Sequence, residues 1–148
     1  MIEFFVKGNP APQGSKNAAA QKKNGRYTGK VNVYESSKAL KPWRDTVTWF
    51  ARRRKQSEPL EGPLVLTADF YLPKPATTKY PDYPLGTPDT DKLLRAIGDA
   101  LTQSGLIRDD AQFVDTHARK RWATEKPGAL IRIERIGDEA IESPHVHN

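Results

Sequence analysis

The nine residues LVLTADFYL, 64–72, constrain the fold more than any other stretch. Leu64, Leu66, Ala68, Phe70 and Leu72 alternate with Val65, Thr67, Asp69 and Tyr71, the two-residue period of a β-strand, with good β formers in both sets. Such a run needs strand neighbours on both edges, so it is expected at the centre of a sheet. Ile2, Phe4 and Val6 alternate with Glu3, Phe5 and Lys7 as a half-buried first strand. RYTGKVNVYE suggests a short hairpin turning at Thr28 and Gly29. Two long strands, roughly Gln112 to Thr124 and Ala129 to Ile136, are expected to pair across EKPG, with Ile131 and Ile133 on the apolar side.

Two segments carry a helical period instead. Leu40, Trp43, Val47, Phe50 and Ala51 share one face of a helix that Ser36 or Ser37 would cap and that runs to about residue 56, with Pro42 complicating its start. Leu94, Ile97, Ala100 and Leu101 trace a second helix, closed by Gly105. Gly98 lies inside it and costs about 1 kcal/mol relative to alanine, which marks either tolerance or the close approach of another element or subunit. The expected architecture is α/β: a mixed, largely antiparallel sheet of about four to five strands, with two main helices packed on one face. A chain of 148 residues is the size of one domain, here 1–136, followed by a flexible tail, 137–148, whose His145 and His147 are expected in solvent. Residues 73–88 hold five prolines and no period, a connection longer than most and thus functional or disordered.

There is no cysteine, which removes disulfides, thiolate metal sites and cysteine nucleophiles. No run approaches the roughly 18 apolar residues of a membrane span, and Glu3 stands where a secretory signal is basic, so an intracellular, cytoplasmic location is expected. The charge is uneven: residues 1–60 carry 13 Lys and Arg against 4 Asp and Glu. That surface suits a polyanion, because each neutralised phosphate releases condensed counterions, although a merely solvated basic face has the same composition. Lys16, in the GNPAPQGSKN loop, and Arg52, Arg53, Arg54 and Lys55, at the end of the first helix, are the candidate phosphate contacts.

Within this basic chain, TPDTDKLLRAIGDALTQSGLIRDD gathers acids around one helix. A helix from about 90 to 104 rises some 22 Å, and an extended return from 105 to 110 covers about 17 Å, so Asp109 or Asp110 can come back toward Asp89 and Asp91. Three or four carboxylates repel one another unless protons or cations compensate, and Mg²⁺ or Mn²⁺ accepts such hard oxygen ligands. The same residues also read as an N-cap at Asp89 or Thr90, a turn at Asp109 and Asp110, and i,i+4 pairs of Arg95 with Asp91 or Asp99. Asp99 needs no chemistry on this reading.

PDTDKLLRAIGDAL and LIRDDAQFVD resemble the D-x-D-[NK]-L-x-[KR]-A-x-x-D-A-L helix and the D-D-[AS]-Q-[VF]-V segment of the RusA family of Holliday junction resolvases, with weaker support from GNPAPQGSK and LKPWRDTV. The resemblance implies a magnesium-dependent homodimeric endodeoxyribonuclease that nicks four-way DNA junctions symmetrically, in bacterial, phage or prophage recombination and repair. It implies that Asp89, Asp91 and Asp110 are the metal-binding catalytic carboxylates, with Asp109 beside them. Lys92 and the 52–55 cluster would then hold DNA. The position of Arg95 is lysine in the best-known pattern; arginine keeps a fixed positive charge for the scissile phosphate but donates protons poorly. A DNA-binding protein without catalysis, or a Mg²⁺ phosphoesterase for another substrate shape, remains open on the acids alone.

Overall fold

A computed structural model describes residues 1–14 and 27–136, with side chains from Lys38 onward in the helix that begins at Tyr27. The elements are β1 (Ile2–Lys7), α1 (Tyr27–Arg52), β2 (Leu64–Leu72), α2 (Thr90–Ser104), a 3-10 turn (Asp110–Gln112), β3 (Phe113–Trp122) and β4 (Gly128–Arg135). One four-stranded sheet has the order β1-β4-β2-β3, antiparallel at β1/β4 and β4/β2 and parallel at β2/β3.

The alternation in β2 is realised strictly: Leu64, Leu66, Ala68, Phe70 and Leu72 are buried and the residues between them half-buried. The register aligns apolar partners across the inner face, with Ile131 between Phe4 and Ala68, and Ala129 between Val6 and Phe70. Both helices cover this face. α1 contributes buried Trp43, Val47 and Ala51, and α2 contributes Leu93, Ala96, Ile97, Ala100 and Leu101 at helical spacing. Truncating one of the large side chains, such as Ile97, would cost about 2–5 kcal/mol.

Two expectations are corrected. The hairpin in RYTGKVNVYE is not formed, since from Tyr27 that stretch is the first half of α1, which also begins well before Ser36 and includes Pro42. Once the Trp43–Ala51 end packs, each preceding residue adds a helical bond at little further cost, and this cooperative extension overrides the local strand preference of Val31-Asn32-Val33-Tyr34. Secondly, β3 and β4 do not pair with each other, because β2 lies between them. β4 is apolar enough on its inner positions to need two neighbours, whereas β3 (FVDTHARKRW) is mostly exposed and suits an edge. Its parallel pairing with β2 uses the long crossover that contains α2, as parallel strands require. The loop 123–127 then passes the end of β2, where Ala123 N donates to Leu72 O at 2.8 Å.

The proline-rich connection is fixed to the edge strand. Trp122 Nε1 donates to Tyr80 O at 2.8 Å, and Lys120 Nζ donates to Gly86 O and Pro88 O at 2.5 and 2.9 Å, on either side of the cis Thr87–Pro88 bond. Asp89 follows at once. No described helix is long and apolar enough to cross a membrane.

Candidate active site

The mouth of α2 is held from two directions. Lys120 holds the carbonyls just before Asp89, and Gln13 N, in the segment that leaves β1, donates to Lys92 O at 3.0 Å. Asp89 occupies the N-cap position with extended backbone, yet its side chain makes no capping hydrogen bond. Among the described residues its carboxylate meets only Lys92 Nζ, at 3.8 Å and half exposed, a contact worth little in water. Asp91 and Arg95 are exposed, and neither they nor Asp99 make an ion pair within 4.0 Å among the described residues, so the i,i+4 pairs that would have explained them are absent.

The far end of α2 shapes the second acidic segment. Gly105 adopts the left-handed conformation (φ 85°) and closes the helix through Gly105 N to Thr102 O. Leu106 and Ile107 are then buried, Leu60 N donates to Leu106 O, and Arg108 pairs with Glu61 at 2.5 Å. Gln112 secures the turn: its Oε1 accepts from Arg108 N and Asp109 N, and its Nε2 donates to Leu60 O and Gly62 O. Asp109 is used as a cap, accepting from Ala111 N at 3.0 Å. Asp110 is left free of such duty and lies over α2, where a Cβ on Gly98 would come within 3.2 Å of its Cβ and 3.4 Å of its Oδ2. Gly98 therefore marks the close approach of another element.

Asp110 holds its proton above the ordinary carboxylate range, first because of partial burial and then because Asp109 and Asp99 stand close, with only its own backbone N–H acting in the other direction. Asp99, dismissed on spacing alone, belongs to this group. Asp99, Asp109 and Asp110 line a hollow of about 270 Å³ with Thr102, Gln103 and Arg44 of α1. Nothing in the sequence links Arg44 to an acid 66 residues on; its one sequence signal is its place in LKPWRDTV.

Carboxylate oxygens are the donors that a hard divalent cation takes, and the neighbouring charges of Asp109 and Asp99, which after burial raise the proton affinity of Asp110, also attract a cation, so the donor set fits Mg²⁺ or Mn²⁺ in kind. Among the described residues, however, no three His, Cys, Asp or Glu side chains surround a point suited to one ion. The acids thus stand in two groups along α2: Asp89 and Asp91 at its mouth, and Asp99 with Asp109 and Asp110 two turns on, Arg95 lying between them in sequence.

Of the expected DNA contacts, Lys92 stands on the first turn of α2, and Lys16 lies outside the described residues, as does the 137–148 tail. The basic cluster follows the end of α1. Arg53 lies over the Trp49 ring at 4.8 Å, Arg54 over Phe4 at 5.6 Å, and the Lys55 side chain against Gly105. It is therefore at the opposite end of α2 from Asp89, about 22 Å away along a 15-residue helix.

Among curated proteins none matches the chain. Residues 9–134, which include every acid of both groups and the turn that carries Asp110, match the family described as Endodeoxyribonuclease RusA, so the chain belongs to the RusA endodeoxyribonucleases, enzymes that cut within DNA strands and whose family character is junction-resolving nuclease activity.

Proposed function

We propose that this protein is a Mg²⁺-dependent endonuclease that resolves four-way DNA junctions by paired, symmetric nicks. The observation that carries this reading is the packing of Asp110 on Gly98 beside Asp99, which leaves uncompensated carboxylates on a basic chain of this family. Asp89 and Asp91 at the mouth of α2 and Asp110 two turns on are the carboxylates we assign to metal binding, although among the described residues they do not surround one point; Mn²⁺ would replace Mg²⁺, and Asp109 orients the turn that presents Asp110. When bound, the cation supplies Lewis acidity toward the scissile phosphate and lowers the pKa of water.

The chain's own residues do the rest. Arg95, exposed and unpaired among the described residues, lies between the two groups of acids in sequence, offers a fixed positive charge to the scissile phosphate and steadies the charge that develops as the P–O bond breaks. Lys92, Lys16 and the Arg52, Arg53, Arg54 and Lys55 cluster bind backbone phosphates without reading bases. A four-way junction presents equivalent phosphates on opposed strands, so two copies of the chain related by a twofold axis would cut both. A bacterial or phage-infected cytoplasm is the setting in which such junctions arise.

The test is a gel assay of the purified chain on a labelled four-way junction and a matched linear duplex, with Mg²⁺ or with EDTA. Paired nicks on the junction alone, only with Mg²⁺, are expected. Binding without cutting would show a DNA-binding protein, and equal cutting of both substrates a general nuclease.

A further inference from the structure

Among the described residues Arg44 is the one cation lining the Asp99–Asp109–Asp110 hollow, and its position is fixed from behind. It stands on α1 between buried Trp43 and half-exposed Asp45, one turn before buried Val47 and Thr48. Thr48 Oγ1 donates to Arg44 O at 2.8 Å and approaches Ala100 O at 3.5 Å, tying this turn of α1 to α2. The guanidinium itself is scarcely engaged. Nη2 reaches Gln103 Oε1 at 3.4 Å, near the limit of a hydrogen bond, and Nε is buried with no hydrogen-bond partner among the described residues.

An arginine facing three aspartates ordinarily forms a forked ion pair with one of them, yet none lies within 4.0 Å of Arg44 among the described residues. A guanidinium carries five N–H donors in a planar fork that matches two oxygens of a phosphate, and a desolvated donor left unpaired is costly. Here the terminal N–H donors of the fork, of which one only grazes Gln103, are the ones that face the hollow and are open to an arriving oxyanion, while the enclosed Nε holds the fork in place.

We propose that Arg44 is a further catalytic residue that grips the non-bridging oxygens of the scissile phosphodiester beside Asp110, drawing the phosphate into the hollow between α1 and α2. In the hydrolysis, the oxygen of water forms the new bond to phosphorus and gives up a proton. The bond to one sugar oxygen breaks, and that oxygen leaves with the electron pair and takes up a proton. The two oxygens in the fork of Arg44 gain charge on the way, so its hydrogen bonds strengthen in the transition state. The assignment rests on the endonuclease reading above.

The experiment compares the wild-type chain with Arg44→Gln, Arg44→Lys and Asp110→Asn on a labelled four-way junction, measuring dissociation constant, single-turnover rate and the Mg²⁺ midpoint, with thermal melting as a check on folding. Removing one such donor typically costs about 100- to 1,000-fold in rate. Arg44→Gln is therefore expected to lower the rate at saturating Mg²⁺ by about 100-fold or more while junction affinity changes by less than about 3-fold. Its Mg²⁺ midpoint should stay or fall, because a nearby positive charge has been removed. Arg44→Lys, which keeps charge but not the fork, should recover part of the rate and keeps the test decisive if Arg44→Gln does not fold. Wild-type cutting by both variants, or a defect that saturating Mg²⁺ fully restores, would overturn the assignment. Asp110→Asn separates the two levels: if it is inactive while both Arg44 variants cut normally, only the role of Arg44 falls. If Asp110→Asn itself cuts normally, the active-site reading falls with it.

Discussion

Replacing Gly98 by alanine should separate stability from activity. In the interior of a helix the change gains about 1 kcal/mol of intrinsic propensity. Against it, the new Cβ would stand 3.2 Å from Asp110 Cβ and 3.4 Å from Asp110 Oδ2. Carbon atoms prefer about 3.5–4.0 Å, so the turn must yield by a few tenths of an ångström. It can yield outward, because Asp110 is exposed, although Gln112 and Arg108 hold the turn to residues 60–62. The net change is expected between 0 and about +1 kcal/mol, no more than about 2–4 °C in melting temperature for a chain of this size. The displaced carboxylate, by contrast, should lower single-turnover junction cleavage about 10- to 100-fold, since misplacement of about 1 Å in a catalytic constellation can cost 100-fold. The pair of measurements is a melt in EDTA and cleavage at saturating Mg²⁺. Wild-type cleavage combined with the full gain in stability would refute the reasoning, because Asp110 would then have moved without consequence.

Other expectations follow from the same contacts. Asp91→Asn should abolish cleavage while leaving junction binding unchanged or tighter in a gel shift, because one substitution removes both a ligand and a charge that repels phosphate; retained nicking would count against its assignment. Lys120→Met removes the donor to Gly86 O and Pro88 O and should destabilise the chain by about 1–2 kcal/mol in a urea melt while slowing cleavage, as Asp89 loses the anchor behind it. Asp110 gives a pH dependence whose sign can be worked out: its folded-state pKa lies above the unfolded value, so the native state binds the extra proton and stability is lost as pH rises through that window. Asp110→Asn in EDTA should accordingly melt higher than wild type at neutral pH, with the difference fading on acidification below the ordinary carboxylate range; a lower melting temperature at neutral pH would contradict this.

Much of the chain could be read from local pattern. The period of 64–72 placed β2 at the centre of the sheet and the Leu93–Gly105 pattern bounded α2 almost to the residue, because burial and steric exclusion act on side chains whose spacing is written in the chain; Gly98 left tolerance and a close neighbour open until the packing of Asp110 decided. The D-x-D and D-D-A-Q spacing marked the acids and the family in the same way. What the pattern could not contain was decided by contacts distant in sequence. The strand-like Val31-Asn32-Val33-Tyr34 became helix because α1 extends cooperatively from a packed end, and β2 came between β3 and β4 because an apolar β4 needs two neighbours. Only tertiary packing brought Arg44 of α1 and Asp99 of α2 to the Asp110 turn, and only there did Asp99 cease to be an ordinary helix-surface acid. Local order is set by forces that act over a turn or a strand; the electrostatics of a site are set by which elements the core draws together.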